Sequence, residues 1–172
     1  MVKQQTQVLT GATIALLVVL GVVAHNALVT EEPLAPPPLW LLATQGVAGL
    51  AAHLLCDTIG YRAPALAPST PREDATRIAV ASFQSRLMLR IALSESIALM
   101  SLSAGFVLGG AGAWPAYLSG AAVSAVLLAV HCWPWSRPVD RTERALAREG
   151  ARVELRQAFG LEPRLTGPIQ EL

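Results

Sequence analysis

The chain has 172 residues, 53% of them hydrophobic and only 15% charged, with a formal net charge of +1. Soluble domains carry about 25% charged residues, so this composition excludes an ordinary water-soluble globule. It also gives no support for a nucleic-acid partner, which calls for a strongly basic surface.

Four apolar segments reach the ~20 residues needed to cross a bilayer. They are 8–28, 39–59, 87–108 and 114–135, and together they take up half the chain. The first follows Lys3 and could pass for a signal peptide. It is long for a signal h-region, and "AHNALVTEE" offers no small-x-small cleavage site. A retained first span is expected, with His25 and Asn26 near its outer interface. The connector "EEPLAPPP" should be stiff and partly polyproline, because proline fixes φ and cannot extend a helix.

Span two carries Gln45, Gly49, His53 and Asp57 at i, i+4 spacing, a polar stripe along one face. Cys56 lies beside it. The loop 60–86 changes character midway: "YRAPALAPSTP" should be irregular, and "STPRED" predicts a helix start. Ser69 or Thr70 would cap it, Pro71 would take the first helical position, and acids follow. No breaker intervenes before Leu108, so one long helix is predicted from about Pro71 to Leu108.

Span three holds Glu95, flanked by Ser94 and Ser96. Counted from Leu87, it lies about 12 Å into the bilayer. An unpaired carboxylate there costs about 2.5 kcal/mol or more, so Glu95 should be protonated or partnered. Ser94 and Ser96 offer donors nearby. His53, about 9 Å deep, is the best cross-helix partner by depth. The expectation is a Glu95–His53 hydrogen bond between spans two and three, or a contact from Glu95 to a partner subunit. A proton or ion path through Gln45, His53, Asp57 and Glu95 is the sharper alternative. Ser94, Ala98, Ser101, Gly105 and Gly109 recur at helical spacing, and Ala116, Gly120 and Ser124 answer them on span four. Small residues let helix backbones approach in lipid, so these two spans should pack together, with Gly105, Gly109, Gly120 and Ser124 at the contact.

His53 and His131 lie at similar depths on spans that run in the same direction, near Cys56, Asp57 and Cys132. That could describe a bis-His haem or a metal site. No spacing is diagnostic, and the expectation is polar residues anchoring helix ends, with no metal, no cofactor and no disulfide. No phosphate loop, nucleophile elbow, HExxH or CxxC occurs, so no catalytic residue is assigned and no enzyme is expected.

The tail 136–172 predicts a helix over about 140–159, with Asp140 and Glu143 as a capping box and Gly160 as a C-terminal cap. Gly150 is a possible break in it. At 100° per residue, Arg137, Arg141, Arg144, Arg148, Arg152 and Arg156 share one face. Such a stripe, through Arg144, Arg148 and Arg152, could meet anionic headgroups; a solvated helix with Asp140–Arg144 and Glu149–Arg152 pairs is the alternative. Beyond Gly160 an extended arm is expected.

All Lys and Arg residues fall at Lys3, between Arg62 and Arg90, or from Arg137 onward. The positive-inside rule then puts both termini and the loop 60–86 in the cytoplasm. Trp40, Trp114 and Tyr117 would mark the outer interface and Tyr61, Trp133 and Trp135 the inner one. Twelve Arg to one Lys and abundant Ala suggest a high-GC bacterium, hence a plasma membrane. The expected fold is all-α: a four-helix transmembrane bundle over 1–135 and a cytoplasmic helical tail.

The segment "RIALSESIALMSLSAGFVLGG" is similar to the carboxylate-bearing helix of rotary ATP synthase c-subunits, but over one span of four and without their glycine-repeat helix. It carries only the point that a lone intramembrane Glu can bind protons. In size, four spans, Arg-dominated inner faces and the segments "LRIALSES" and "HCWPWSRP", the chain resembles the LucB-type accessory subunits of actinobacterial Mce lipid importers. That resemblance implies an accessory or stabilising role beside a permease, an ATPase and MCE proteins in lipid import. It transfers no catalytic residues. The other function class is a small proton- or ion-linked transporter using Glu95 and His53.

Overall fold

The computed structural model describes residues 2–28 and 33–162. Among them every regular element is helical: α1 (Val2–Leu28), α2 (Leu39–Thr58), α3 (Arg72–Leu108), α4 (Ala113–His131), α5 (Ser136–Leu146) and α6 (Leu155–Ala158), with single 3-10 turns at Gly110–Gly112 and Ala147–Glu149. α1 to α4 are each long and apolar enough to cross a membrane.

The centre is the α3–α4 hairpin, and α1 and α2 each pack on that pair. Small residues set the approach. A Cβ on Gly120 would fall 1.9 Å from Ser101 Oγ, and one on Gly105 would fall 2.8 Å from the Ala113 carbonyl. Ser124 Oγ accepts a bond from the Ala98 N–H at 3.0 Å. Gly109 does not share in this contact. It ends α3 at φ +60° with nothing within 4 Å of its Cβ position, so its role is the turn and not the packing expected of it.

On their outer faces α1 and α2 present Val8, Leu16, Val18, Val22, Val47, Leu50 and Leu54 to the surroundings. An exposed apolar surface of that extent is matched by hydrocarbon, not water. Polar side chains between the helices satisfy one another. Gln45 Nε2 donates to Ser101 Oγ and the Ala116 carbonyl, each at 2.9 Å, and Ser119 Oγ donates to Gln45 Oε1 at 2.8 Å. Two expected belt residues lie inside instead. Tyr117 is 1% exposed and donates to the Leu17 carbonyl at 2.6 Å. Tyr61 is buried as well.

At 1.5 Å per residue α3 is about 55 Å long, beyond the ~30 Å of a hydrocarbon core. Its first turns belong to a second layer at one end of the bundle. There Ala75, Ala79, Phe83 and Leu87 are covered by Val139, Leu146, Leu155 and Phe159, with the Phe83 and Phe159 rings 4.7 Å apart. Arg72 pairs with Glu154, and Leu66 N–H donates to the Leu146 carbonyl at 2.9 Å. α3 starts at Arg72 with Pro71 at its cap position, and neither Ser69 nor Thr70 caps it.

The tail is not one helix over 140–159. α5 begins earlier, at Ser136, because Pro138 is tolerated in a first turn where N–H groups have no partner anyway. Asp140 and Glu143 therefore sit inside α5 and not at a capping box. They bind the next segment: Asp140 pairs with Arg156, and Glu143 Oε2 accepts the Arg156 N–H at 2.9 Å. Gly150, at φ +93°, turns the chain back to make this possible. The arm expected beyond Gly160 lies, from residue 163, outside the described residues.

Candidate functional site

The stripe on α2 faces α4. Gln45 meets Ser101, Ala116 and Ser119 as above. Gly49 fits because a Cβ there would lie 2.7 Å from Val123 Cγ1. One turn further on, His53 Nδ1 is 2.9 Å from His131 Nε2 on α4. At the helix end, Asp57 pairs with Arg141 of α5, and Arg137 Nη2 is 3.6 Å from its other oxygen.

Tyr61 extends the chain of contacts. Its hydroxyl is 3.1 Å from His131 Nδ1. Burial pushes the Tyr61 phenol above its ordinary range, although the nearby Arg90 and Arg141 cations pull the other way. It stays neutral at neutral pH and donates. Two acceptors are in its reach, His131 Nδ1 and the His131 carbonyl at 3.4 Å. When it donates to Nδ1, His131 Nε2–H donates to His53 Nδ1. His53 Nε2–H is left facing Asp57 at 3.9 Å, too long for a hydrogen bond. The result is a file of proton-bearing groups, from a buried phenol to a half-buried carboxylate.

Nitrogen and oxygen atoms of His53, Asp57 and His131 lie within 4.8 Å of one another, a spacing a small metal ion could use. The surrounding charge opposes it. Asp57 already answers Arg141 and Arg137, and the Arg90 guanidinium lies behind Tyr61. A dication would have to displace the first two and sit near the third. The donor set fits a hydrogen-bonded file better than a metal centre.

Arg90 is the residue sequence reasoning missed. It falls in the first turn of the expected span 87–108, and it is 0% exposed. Among the described residues none of its guanidinium nitrogens makes a hydrogen bond. The group lies against two rings instead, 4.5 Å from the Tyr61 centroid and 4.9 Å from that of Phe83. Desolvated cation–π contacts of this kind are worth about 2 kcal/mol or more. Gly60 makes room: a Cβ there would be 2.9 Å from Arg90 Cγ. The available signal was spacing, since Arg90 shares the buried face of α3 with Leu87 and Ser94.

Glu95 is not part of this site, and the expected Glu95–His53 bond is not formed. α3 meets α2 through Ile97 and Ser101, about 160° and 120° round the helix from Glu95. Glu95 therefore lies on the opposite edge, half-buried, with no hydrogen bond or ion pair among the described residues. Ser94 and Ser96 turn their hydroxyls to the Arg90 and Leu93 carbonyls of their own helix.

The arginine stripe is dispersed by the turn at Gly150. Arg141 and Arg137 go to Asp57 and Arg156 to Asp140, while Arg144, Arg148 and Arg152 are exposed. Cys56 and Cys132 are buried and free. No protein-family model matches the chain, and neither a curated protein nor a solved structure is significantly similar to it.

Proposed function

We propose that this chain is a non-enzymatic accessory subunit of a larger bacterial plasma-membrane complex, with both termini cytoplasmic. Glu95 is the observation that carries this reading. It lies in the apolar part of α3, half-buried, on an edge away from α2, with no partner among the described residues. A carboxylate left so in a membrane calls for a donor, and another integral membrane protein can supply it. The polar groups between α2, α3 and α4 support the same reading, because they bind each other and leave little to line a pore. An ATP-driven Mce-type lipid importer, with its permease as neighbour, is the complex the sequence resemblance favours. The test is purification of the tagged protein from its native membrane in mild detergent, with identification of the proteins that accompany it. Companions lost in Glu95→Leu support the proposal; a chain that purifies alone counts against it.

The second reading, proton-linked transport, is favoured by the Tyr61–His131–His53 file. It would run through His53 and Asp57 without Glu95. Proton flux in proteoliposomes that disappears in His53→Leu would support it, and absence of flux with the pure protein would exclude it for the chain alone.

A further inference from the structure

Beside Asp57 the end of α2 and the outer side of α5 enclose a cleft of about 760 Å³. Thr58 ends α2 and Tyr61 and Arg62 follow it in the loop, while Arg141 and Arg144 come from α5 and Arg148 from the 3-10 turn after it. Four guanidinium groups thus face a single carboxylate, and Asp57 is already committed to Arg141. Arg141 is further held against the Tyr61 ring at 5.2 Å. Arg144 Nε donates to the Asp140 carbonyl at 3.2 Å, which fixes its stem. Arg62 and Arg148 are exposed, and their side chains make no hydrogen bond or ion pair among the described residues.

We propose that this cleft binds the phosphate of an anionic phospholipid. Guanidinium groups from two stretches of the chain converge on one space, the arrangement that suits a multiply accepting oxyanion. A soluble anion would satisfy the charge alone. The cleft opens at the end of a helix long and apolar enough to cross a membrane, and Leu54 and Leu55, the last apolar residues of α2 before Thr58, are exposed. A ligand with an anionic head and an apolar tail meets both surfaces at once. The fold changes the membership from the expected stripe: Arg62 enters from the loop after α2, and Arg152, carried off by the turn at Gly150, does not line the cleft. The site belongs to the isolated chain and does not depend on the identity of any complex.

The test uses the full chain in detergent, titrated with phosphatidylglycerol and with phosphatidylcholine of the same acyl chains and read by native mass spectrometry. Phosphatidylglycerol should be retained preferentially. The Arg62→Ala/Arg148→Ala double variant should weaken it about ten-fold or more, whereas Arg152→Ala should leave it unchanged. Both are exposed sites, and thermal melts confirm that the variants are folded. Equal retention of the two lipids, full retention by the double variant, or an equal loss in Arg152→Ala would overturn the proposal. Complete displacement by millimolar inorganic phosphate would also overturn it, showing a soluble-anion site instead.

Discussion

His131 Nε2 and His53 Nδ1 face each other at 2.9 Å, one from each of two helices long enough to cross a membrane. One of the two nitrogens must be without a proton for the contact to hold. The bond ties α2 to α4. Replacing His131 by Leu strands His53 and leaves the Tyr61 hydroxyl only the residue 131 carbonyl at 3.4 Å, and should cost about 1–3 kcal/mol. Replacing His53 by Leu should cost less, because its side chain is partly exposed. Unfolding in detergent of the two single variants and the double variant measures the coupling. Simple additivity would mean that the contact contributes nothing.

Glu95→Leu should leave the isolated protein as stable as before or more so, since no described residue loses a bond and a desolvated carboxylate is removed. The sequence alone predicts the opposite, a stranded His53. Thermal melts of the purified protein separate the two, and a clearly lowered midpoint would restore an internal partner for Glu95.

Gly120→Ala should loosen the central hairpin. The new methyl would meet Ser101 Oγ, which itself donates to the Ile97 carbonyl at 2.7 Å and accepts from Gln45. Ser101 would have to turn away and the helices separate, at about 1–3 kcal/mol. Gly109→Ala meets no neighbouring atom, but at φ +60° and ψ −178° it enters a region essentially confined to glycine and should strain the turn by about 1–3 kcal/mol. Ser101→Gly, which makes room for the new methyl, should ease Gly120→Ala and not Gly109→Ala; equal relief at both positions would contradict this division of roles.

Phe83→Ala should cost about 3–5 kcal/mol locally, because it removes a fully buried ring from between Arg90 and Phe159. The layer built on α5 and α6 should loosen before the bundle does. Limited proteolysis would then cut faster near Gly150 while α1 to α4 stay protected; unchanged cleavage would show that the tail docks without this ring.

Sidedness is checked by thiol labelling in a background without Cys56 and Cys132. Cysteines at positions 34 and 112 should react from outside the cell, and those at 69 and 157 only after permeabilisation. Reaction at 157 in intact cells would reverse the proposed topology.

The elements that were legible in the sequence are those set by local chemistry. Absence of a breaker from Arg72 to Leu108 is a property of the chain itself, and so is the small-residue spacing that places Gly120 against Ser101. Azimuth was not legible. Counting residues gives the depth of Glu95 and His53 but not which neighbour each faces, and two helices at one depth offer a choice. Arg90 was hidden for a related reason: its aromatic walls come from a loop and from its own helix two turns back. The capping-box match at Asp140 and Glu143 satisfied a pattern, yet the same carboxylates do more when the chain turns at Gly150 and brings Arg156 back to them.

The contact between Phe83 and Phe159 also has a temporal meaning. Phe159 leaves the ribosome long after Phe83, so the apolar face of α3 at Ala79 and Phe83 stays uncovered throughout the synthesis of α4. That face is covered only by a segment made later. A nascent or truncated chain that stops short of Phe159 displays that open face, the kind of exposed surface that chaperones and proteases recognise.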